Sequence, residues 1–459
     1  MRIALSIVSL IPFHSVAFAG TEAHSVQATE TVAGASAQQS QPSPQISGIH
    51  IEVRQVLVPV VVMDSKGHSV LGLRSSNFKV FEDGVEQTVA SLTSEADGAA
   101  KLFEPQPVLP APGIGAINPS PQEMGKPDAA YLVVIDTLNS EPGSFVQIRG
   151  ALKKLFGEER PGSTLYALVA LSQNTSVVQP LTTDPSAVLR ALEDKQLTKF
   201  ILASEQSSRA QQEIQLRRML EDYCQTCRCA SGQCSTGPTF EKIESFATSA
   251  GEEHADQLRN FLQQLRSLVD QLGTVPGKRA IVLISDGFTI QPGRDLFALI
   301  AAYLRDPKIA LQDPMTRMDP EMSAVLRLAD DRNVVFYTLD SRGVYVVPPG
   351  GYDVTGPPMS SKTAPIVMPE IQSQKTLSAV EKDDGLQELA EATGGLFFGN
   401  TNNALNGMRQ ALADGRAYYV LAYTSSNSAA DGKFRKIQVL VDEKNLRIRA
   451  KQGYWAPVQ

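Results

Sequence analysis

The sequence is short of histidine, cysteine and tryptophan: its 459 residues carry five, four and one. His14, His24 and His50 all precede residue 51. Acid–base chemistry further along must use His68 or His254 or do without histidine, which argues against a His-dependent hydrolase. Basic residues are also in deficit, 42 Lys and Arg against 49 Asp and Glu, for a net charge of −7. A broad grip on nucleic acid needs the opposite, clustered Lys and Arg that displace counterions, so nucleic acid is not an expected partner. Beyond residue 20 no run reaches the roughly 18 consecutive apolar residues of a membrane-crossing helix. Also absent are the phosphate-cradling G-x-x-x-x-G-K-[ST] loop, the G-x-S-x-G elbow and the H-E-x-x-H zinc motif.

What is present is an ordinary globular balance, 42% hydrophobic and 20% charged. The length suggests roughly two to three domains. Residues 1–19 read as an export signal: Arg2 gives a positive start, Ala4–Phe13 is mostly apolar, and Ala17-Phe18-Ala19 forms an A-x-A cleavage site. A periplasmic or extracellular location is therefore expected. Residues 20–47, rich in Ala, Gln, Ser, Thr and Pro, have too few large apolar groups to offset chain entropy and predict a disordered tether. Residues 48–93 read as a β segment with a hairpin turn at Asp83-Gly84, and 94–127 as a Pro/Gly/Ala-rich linker.

From 128 to 415 the texture changes. Tyr131–Ile135, Leu165–Leu171, Ala280–Ile284 and Val334–Leu339 are nearly continuous apolar runs, as in strands buried on both faces. Ile148, Leu152, Leu155 and Phe156 repeat at helical spacing, as do Leu258, Phe261, Leu262, Leu265, Val269 and Leu272. Alternating β and α predicts a doubly wound, mostly parallel sheet with helices on both faces. Two stretches interrupt it: a Cys-containing insertion at 200–250 and a Pro/Gly-rich loop at 345–378. Residues 416–459 return to β, and they are expected to join 48–93 in one small β domain.

Ligands of such sheets bind at the carboxyl ends of the strands, where strand order reverses. Asp136 ends the first buried run and Asp286 a later one, in Ser285-Asp286-Gly287. Two convergent carboxylates suit a hard divalent cation, Mg²⁺ or Mn²⁺. The alternative is that each Asp caps the turn or helix that follows it.

These residues resemble a von Willebrand factor type A (vWA) domain. More broadly, the chain resembles the exported VWFA-related proteins first grouped from acidobacteria. The resemblance rests on Val56-Leu57-Val58-Pro59-Val60-Val61-Val62-Met63-Asp64, Phe81-Glu82-Asp83-Gly84, the Asp136 strand, Pro276-Gly277-Lys278-Arg279 before Ser285-Asp286-Gly287, Tyr337-Thr338-Leu339-Asp340, Ala392-Thr393-Gly394-Gly395, Tyr418-Tyr419-Val420-Leu421 and Gly453-Tyr454. It implies a vWA-like α/β domain flanked by β segments. It also implies a metal-ion-dependent adhesion site with Asp136, Ser140 and Asp286 as ligands. In such a site a protein partner's acidic side chain completes the metal shell. The match is degenerate. Leu138 stands where the middle Ser of D-x-S-x-S belongs, and no Thr ligand is identifiable among Thr182, Thr183, Thr239 and Thr248. Asn139 is an alternative oxygen donor.

The function expected is an exported, adhesion-type protein-interaction module. The alternative is a metal-free structural subunit of a periplasmic or surface assembly. The Asp136 strand is also similar in part to the hhhhDxDx[TV] pattern of haloacid-dehalogenase-type phosphatases. Leu138 replaces that pattern's acid–base Asp, so no enzyme is expected. Cys224, Cys227, Cys229 and Cys234 predict two local disulfides in an exported chain. His254 reads as a solvated residue, and Arg447, Arg449 and Lys451 as a strand edge blunted by charge. Asp340, at the same edge as Asp286, is a candidate for a supporting role.

Overall fold

The computed structural model describes residues 55–94, 127–195, 197–198, 206–227, 237–312, 314, 317–344, 364–400 and 403–458. The expected export signal, the tether and most of the linker lie outside these residues.

The first β segment gives β1 (Gln55–Met63), β2 (Phe78–Glu82), β3 (Val85–Gln87) and β4 (Val89–Ser94). Asp83 and Gly84 turn β2 into β3 with φ of 49° and 83°, the conformation a type I′ hairpin needs. The alternating part follows as β5 (Ala129–Asp136), α1 (Pro142–Glu158), β6 (Thr164–Leu171), β7 (Thr175–Thr182), α2 (Pro185–Glu193), α3 (Gln206–Cys227) and α4 (Pro238–Leu272). It continues as β8 (Lys278–Ser285), α5 (Arg294–Leu304), α6 (Asp319–Asp331), β9 (Val334–Asp340), α7 (Ala364–Thr393), β10 (Phe397–Phe398) and α8 (Ala404–Asp414). The chain closes with β11 (Tyr419–Thr424), β12 (Phe434–Val441), β13 (Arg447–Ala450) and β14 (Gly453–Trp455).

The central sheet runs β10-β9-β8-β5-β6-β7, parallel throughout except for β7, which pairs antiparallel with β6. Every residue of β5, β8 and β9 is buried. Successive strand side chains point to opposite faces, so an unbroken apolar run needs a helical layer on each. Leu132 and Val134 meet Leu258 and Phe261 of α4, Val325 of α6 and Leu389 of α7. Tyr131, Val133 and Ile135 meet Leu152 of α1, Val188 of α2 and Ala411 of α8. This is the vWA-like doubly wound fold. From β5 the chain passes to β6 on one side and later to β8 on the other, so the order reverses between β5 and β8.

Two corrections to the sequence reading concern the interruptions. The helix whose spacing runs from Leu258 to Leu272 begins at Pro238, and the loop expected over 345–378 is helical from Ala364, with Pro369 inside the helix. The cause is tertiary. Ile371 of α7 is buried in a third core with Leu216 and Leu220 of α3, Phe240 and Ile243 of α4, and Ile300 of α5. Such burial overrides local propensity. At 1.5 Å per residue α4 is about 52 Å long, roughly twice the ~26 Å of an eight-residue strand. Its second half covers the sheet and leads into the start of β8. Its first half therefore projects beyond the carboxyl edge of the strands. The two interruptions meet there as one helical cap.

The β segments pair across the whole chain. One antiparallel sheet is β13-β1-β11-β4 and the other β14-β12-β2-β3, so each interleaves strands from both ends. Val58, Val60, Val80, Leu421 and Tyr423 form their common core. Buried Glu82 lies within it and accepts hydrogen bonds from the hydroxyls of Tyr423 (2.9 Å), Tyr454 (3.2 Å) and Ser425 (2.6 Å).

This β unit docks on the amino edge of the central sheet, opposite the cap. Arg449 of β13 pairs with Asp414 at the end of α8 and donates to the Gly394 carbonyl at 3.2 Å. Lys451 pairs with Asp330 at 2.6 Å. The Lys278 ammonium donates to the Asp414 carbonyl at 2.7 Å and sits 4.3 Å above the Tyr418 ring. The charges expected on a solvated strand edge are therefore largely docked: the Arg449 and Lys451 side chains are each 11% exposed. Alternation showed which residues share a face of β13 but not that helix ends bearing carboxylates would meet that face.

Candidate functional site

Asp136 is the last residue of β5, one beyond the Ile135–Ile284 pair, and Ser285, one beyond Ile284, is paired with Asp340 of β9. Asp286 follows Ser285. The fold thus brings Asp136, Ser140 and Asp286 together at the carboxyl edge where strand order reverses. The backbone N–H of Asp286 donates to the Ser140 hydroxyl at 2.9 Å, which links the loops after β5 and β8.

Asp136 is fully buried. Its Oδ1 accepts the backbone N–H groups of Leu138 and Asn139, both at 3.0 Å. Its Oδ2 accepts the Asn139 side-chain amide at 2.9 Å and the Ser285 hydroxyl at 2.6 Å. Asn139 therefore donates to Asp136 through both its backbone and its side-chain amide nitrogen. Asp286 is also buried. Its Oδ2 accepts the Glu141 N–H at 2.8 Å and the Ser144 hydroxyl at 2.9 Å, and its Oδ1 accepts the Ser341 hydroxyl at 2.5 Å.

Leu138, in place of the middle Ser, is buried in the apolar layer that includes Phe261 and Phe288. Thr182 lies at the other end of the sheet, opposite Tyr166, and accepts the Asp184 N–H at 3.1 Å. Thr239 and Thr248 lie on the capping half of α4.

Several site residues escaped the sequence reading. Ser285 and Ser341 adjoin the strand-end carboxylates, and Ser144 follows Ser140 by four residues, so local spacing could have found them. Arg342, Lys382 and Asp383 could not be found that way. Arg342 grips Asp340 with two nitrogens, at 2.9 and 3.1 Å, and also pairs with Asp383 of α7. Gly287 has φ of 89°, and a Cβ there would fall 2.6 Å from the Lys382 carbonyl oxygen. The Phe288 N–H donates to that oxygen at 3.2 Å. The Asp286-Gly287 turn is thus pressed against α7, which a side chain at 287 would prevent.

An ionised carboxylate offers about four lone-pair sites, and protein donors take all of those on Asp136. The remaining cavity, lined by Asp136, Ser140, Phe145, Ile284 and Ser341 among others, measures about 10 Å³, room for roughly one water. This donor arrangement does not fit a divalent cation.

Burial raises the carboxyls of Asp136 and Asp286 above their ordinary range, against the pull of the hydrogen bonds each accepts; Asp340 raises Asp286 further. A raised folded-state value gives stability that is complete below about pH 3.8, the unfolded value, and that is lost as pH rises through the folded value. Asp286→Asn removes this titration. The stability of the natural chain relative to Asp286→Asn is therefore expected to increase as pH falls from 7 towards 4, which urea unfolding at a series of pH values measures.

His254, expected to be solvated, is instead buried, with Nε2 2.9 Å from the Gln212 side-chain oxygen. The cap helices α3 and α4 enclose it. Cys224 is buried in the cap core. The side chains of Cys227, Cys229 and Cys234, and with them the expected pairing, lie outside the described residues.

No protein-family model matches the chain, and no curated protein is similar to it. Solved structures are similar in parts. An aerotolerance-related membrane protein from Bacteroides fragilis, crystallised with multiple mutations to serines, matches at 12% identity over 62% of this chain and 98% of its own, with a TM-score of 0.27. The conserved hypothetical protein BatB from Bacteroides thetaiotaomicron matches at 10% identity over the same shares, with a TM-score of 0.26. The pilus adhesin SpaC from Lactobacillus rhamnosus GG, in its open conformation, matches at 9% identity over 75% of this chain and 45% of its own, with a TM-score of 0.30. None of these likenesses bears on what this chain binds.

Proposed function

We propose that this chain is an exported protein-interaction module whose carboxyl edge recognises its partner without a metal ion. The observation that carries the reading is the saturation of Asp136 by four protein donors beside a core leucine at position 138. The edge cavity of about 10 Å³ is far below the ~300 Å³ of a small-molecule pocket, so recognition at this edge is read as a surface contact. Apolar side chains stand exposed on elements that meet there: Val146 near the start of α1, 71% exposed, and Leu377 and Val380 one turn apart on α7. The net charge of −7 supports a protein rather than a nucleic-acid partner.

The test is capture from the exported fraction on the immobilised chain, with and without EDTA, beside Val146→Glu and Val380→Glu. Capture is expected to be indifferent to EDTA and to fall at least about tenfold in the variants, since a buried unpaired charge costs a few kcal/mol. Capture abolished by EDTA, or unchanged by both substitutions, would contradict the reading.

A further inference from the structure

The carboxyl edge gathers Asp136, Asp286, Asp340 and Asp383. Asp136 is satisfied by uncharged donors. Asp340 and Asp383 both meet Arg342, whose side chain is 13% exposed against 2% for Asp340. Arg342 follows Ser341, the residue that donates to Asp286. Next to Asp383, Lys382 carries the carbonyl that receives the Phe288 N–H, and its Cβ lies against Gly287.

We propose that Arg342 is the resident cation of this edge. A side chain of the chain itself supplies positive charge that a divalent ion would otherwise bring, and in doing so it fastens α7 to the tip of β9. The inference rests on the metal-independent reading and names the residue that makes it possible. Arg suits the role because its planar fork binds carboxylates with two parallel hydrogen bonds, which Lys cannot reproduce. Since the first half of α7 belongs to the cap, the Arg342–Asp383 pair also joins cap and edge.

The test is a double-mutant cycle on the full chain, read by urea unfolding. Arg342→Met is expected to lower the folding equilibrium constant about 100-fold, because it leaves Asp340 and Asp383 without their cation. In an Asp340→Asn, Asp383→Asn background the same change is expected to cost less than about fivefold, and Arg342→Lys should recover part of the loss in the natural background. An equal cost of Arg342→Met in both backgrounds overturns the inference. Should Arg342→Met fail to fold, Arg342→Gln, alone and with Asp340→Asn and Asp383→Asn, supplies an equivalent cycle with the same two outcomes. A separate arm adds Mn²⁺ to the natural chain. A shift of its midpoint would overturn the metal-independent reading itself, whereas absent coupling would overturn only the assignment of Arg342 as the cation.

Discussion

Asp136→Ala is expected to lower the stability of the chain by about 4 kcal/mol, and to do so equally in EDTA and in Mg²⁺. The substitution strands the backbone N–H groups of Leu138 and Asn139, the Asn139 amide and the Ser285 hydroxyl, all in a buried setting. Each orphaned donor costs about 1–3 kcal/mol, less whatever a water in the new space recovers. Asp136→Asn should cost less, because it keeps acceptor capacity at one oxygen and disturbs mainly the contacts at the other. Urea unfolding in the two buffers measures this. Were Asp136 a metal ligand instead, its removal would cost little in EDTA and more in Mg²⁺, since only the bound ion would then be lost.

Arg449→Met should destabilise by a similar amount, about 3–5 kcal/mol, for a different reason. Asp414 is 1% exposed and ends α8, where the β unit meets the α/β domain. Without its guanidinium partner the buried carboxylate keeps only the Tyr337 hydroxyl and the neighbouring Lys278 ammonium. The amide nitrogens of its helix are directed away from that end, so the macrodipole does not help it. The double variant Arg449→Met, Asp414→Asn is expected to regain most of the loss. Because Arg449 also holds the Gly394 carbonyl at the end of α7, the single variant should loosen the joint between the two parts. Scanning calorimetry should then show a broadened or divided transition in place of one peak. A single sharp transition at the natural midpoint would show that the ion pair contributes nothing to the joint.

The fold was legible where burial is two-sided. Runs such as Tyr131–Ile135 and Ala280–Ile284 announce strands with a helical layer on either face, and the structure has both. Asp83-Gly84 announced its hairpin because only a turn of that hand wants both residues at positive φ. The convergence of Asp136, Ser140 and Asp286 was legible for a similar reason: strand ends at a reversal of order must lie side by side. The cap was not. Ile371 and Leu216 lie far apart in the sequence and share one core, and His254 is buried against Gln212 of α3. Pro369 and the residues before it point locally away from a helix, yet packing retains one. Arg449 shows the same limit at the opposite edge. A charged strand residue looks solvent-facing until a helix end carrying Asp414 arrives beside it. At the site itself, Leu138 was visible as a departure from the metal pattern. That Asp136 would be satisfied by Ser285 and by its own loop depended on a register only the folded sheet supplies.

The most direct measurement is a calorimetric titration of Mn²⁺ into the purified chain, run beside Asp136→Ala. Heats no greater than dilution for either protein are predicted. Saturable binding by the natural chain that the substitution removes would contradict the account, since it would return Asp136 to the role of a metal ligand.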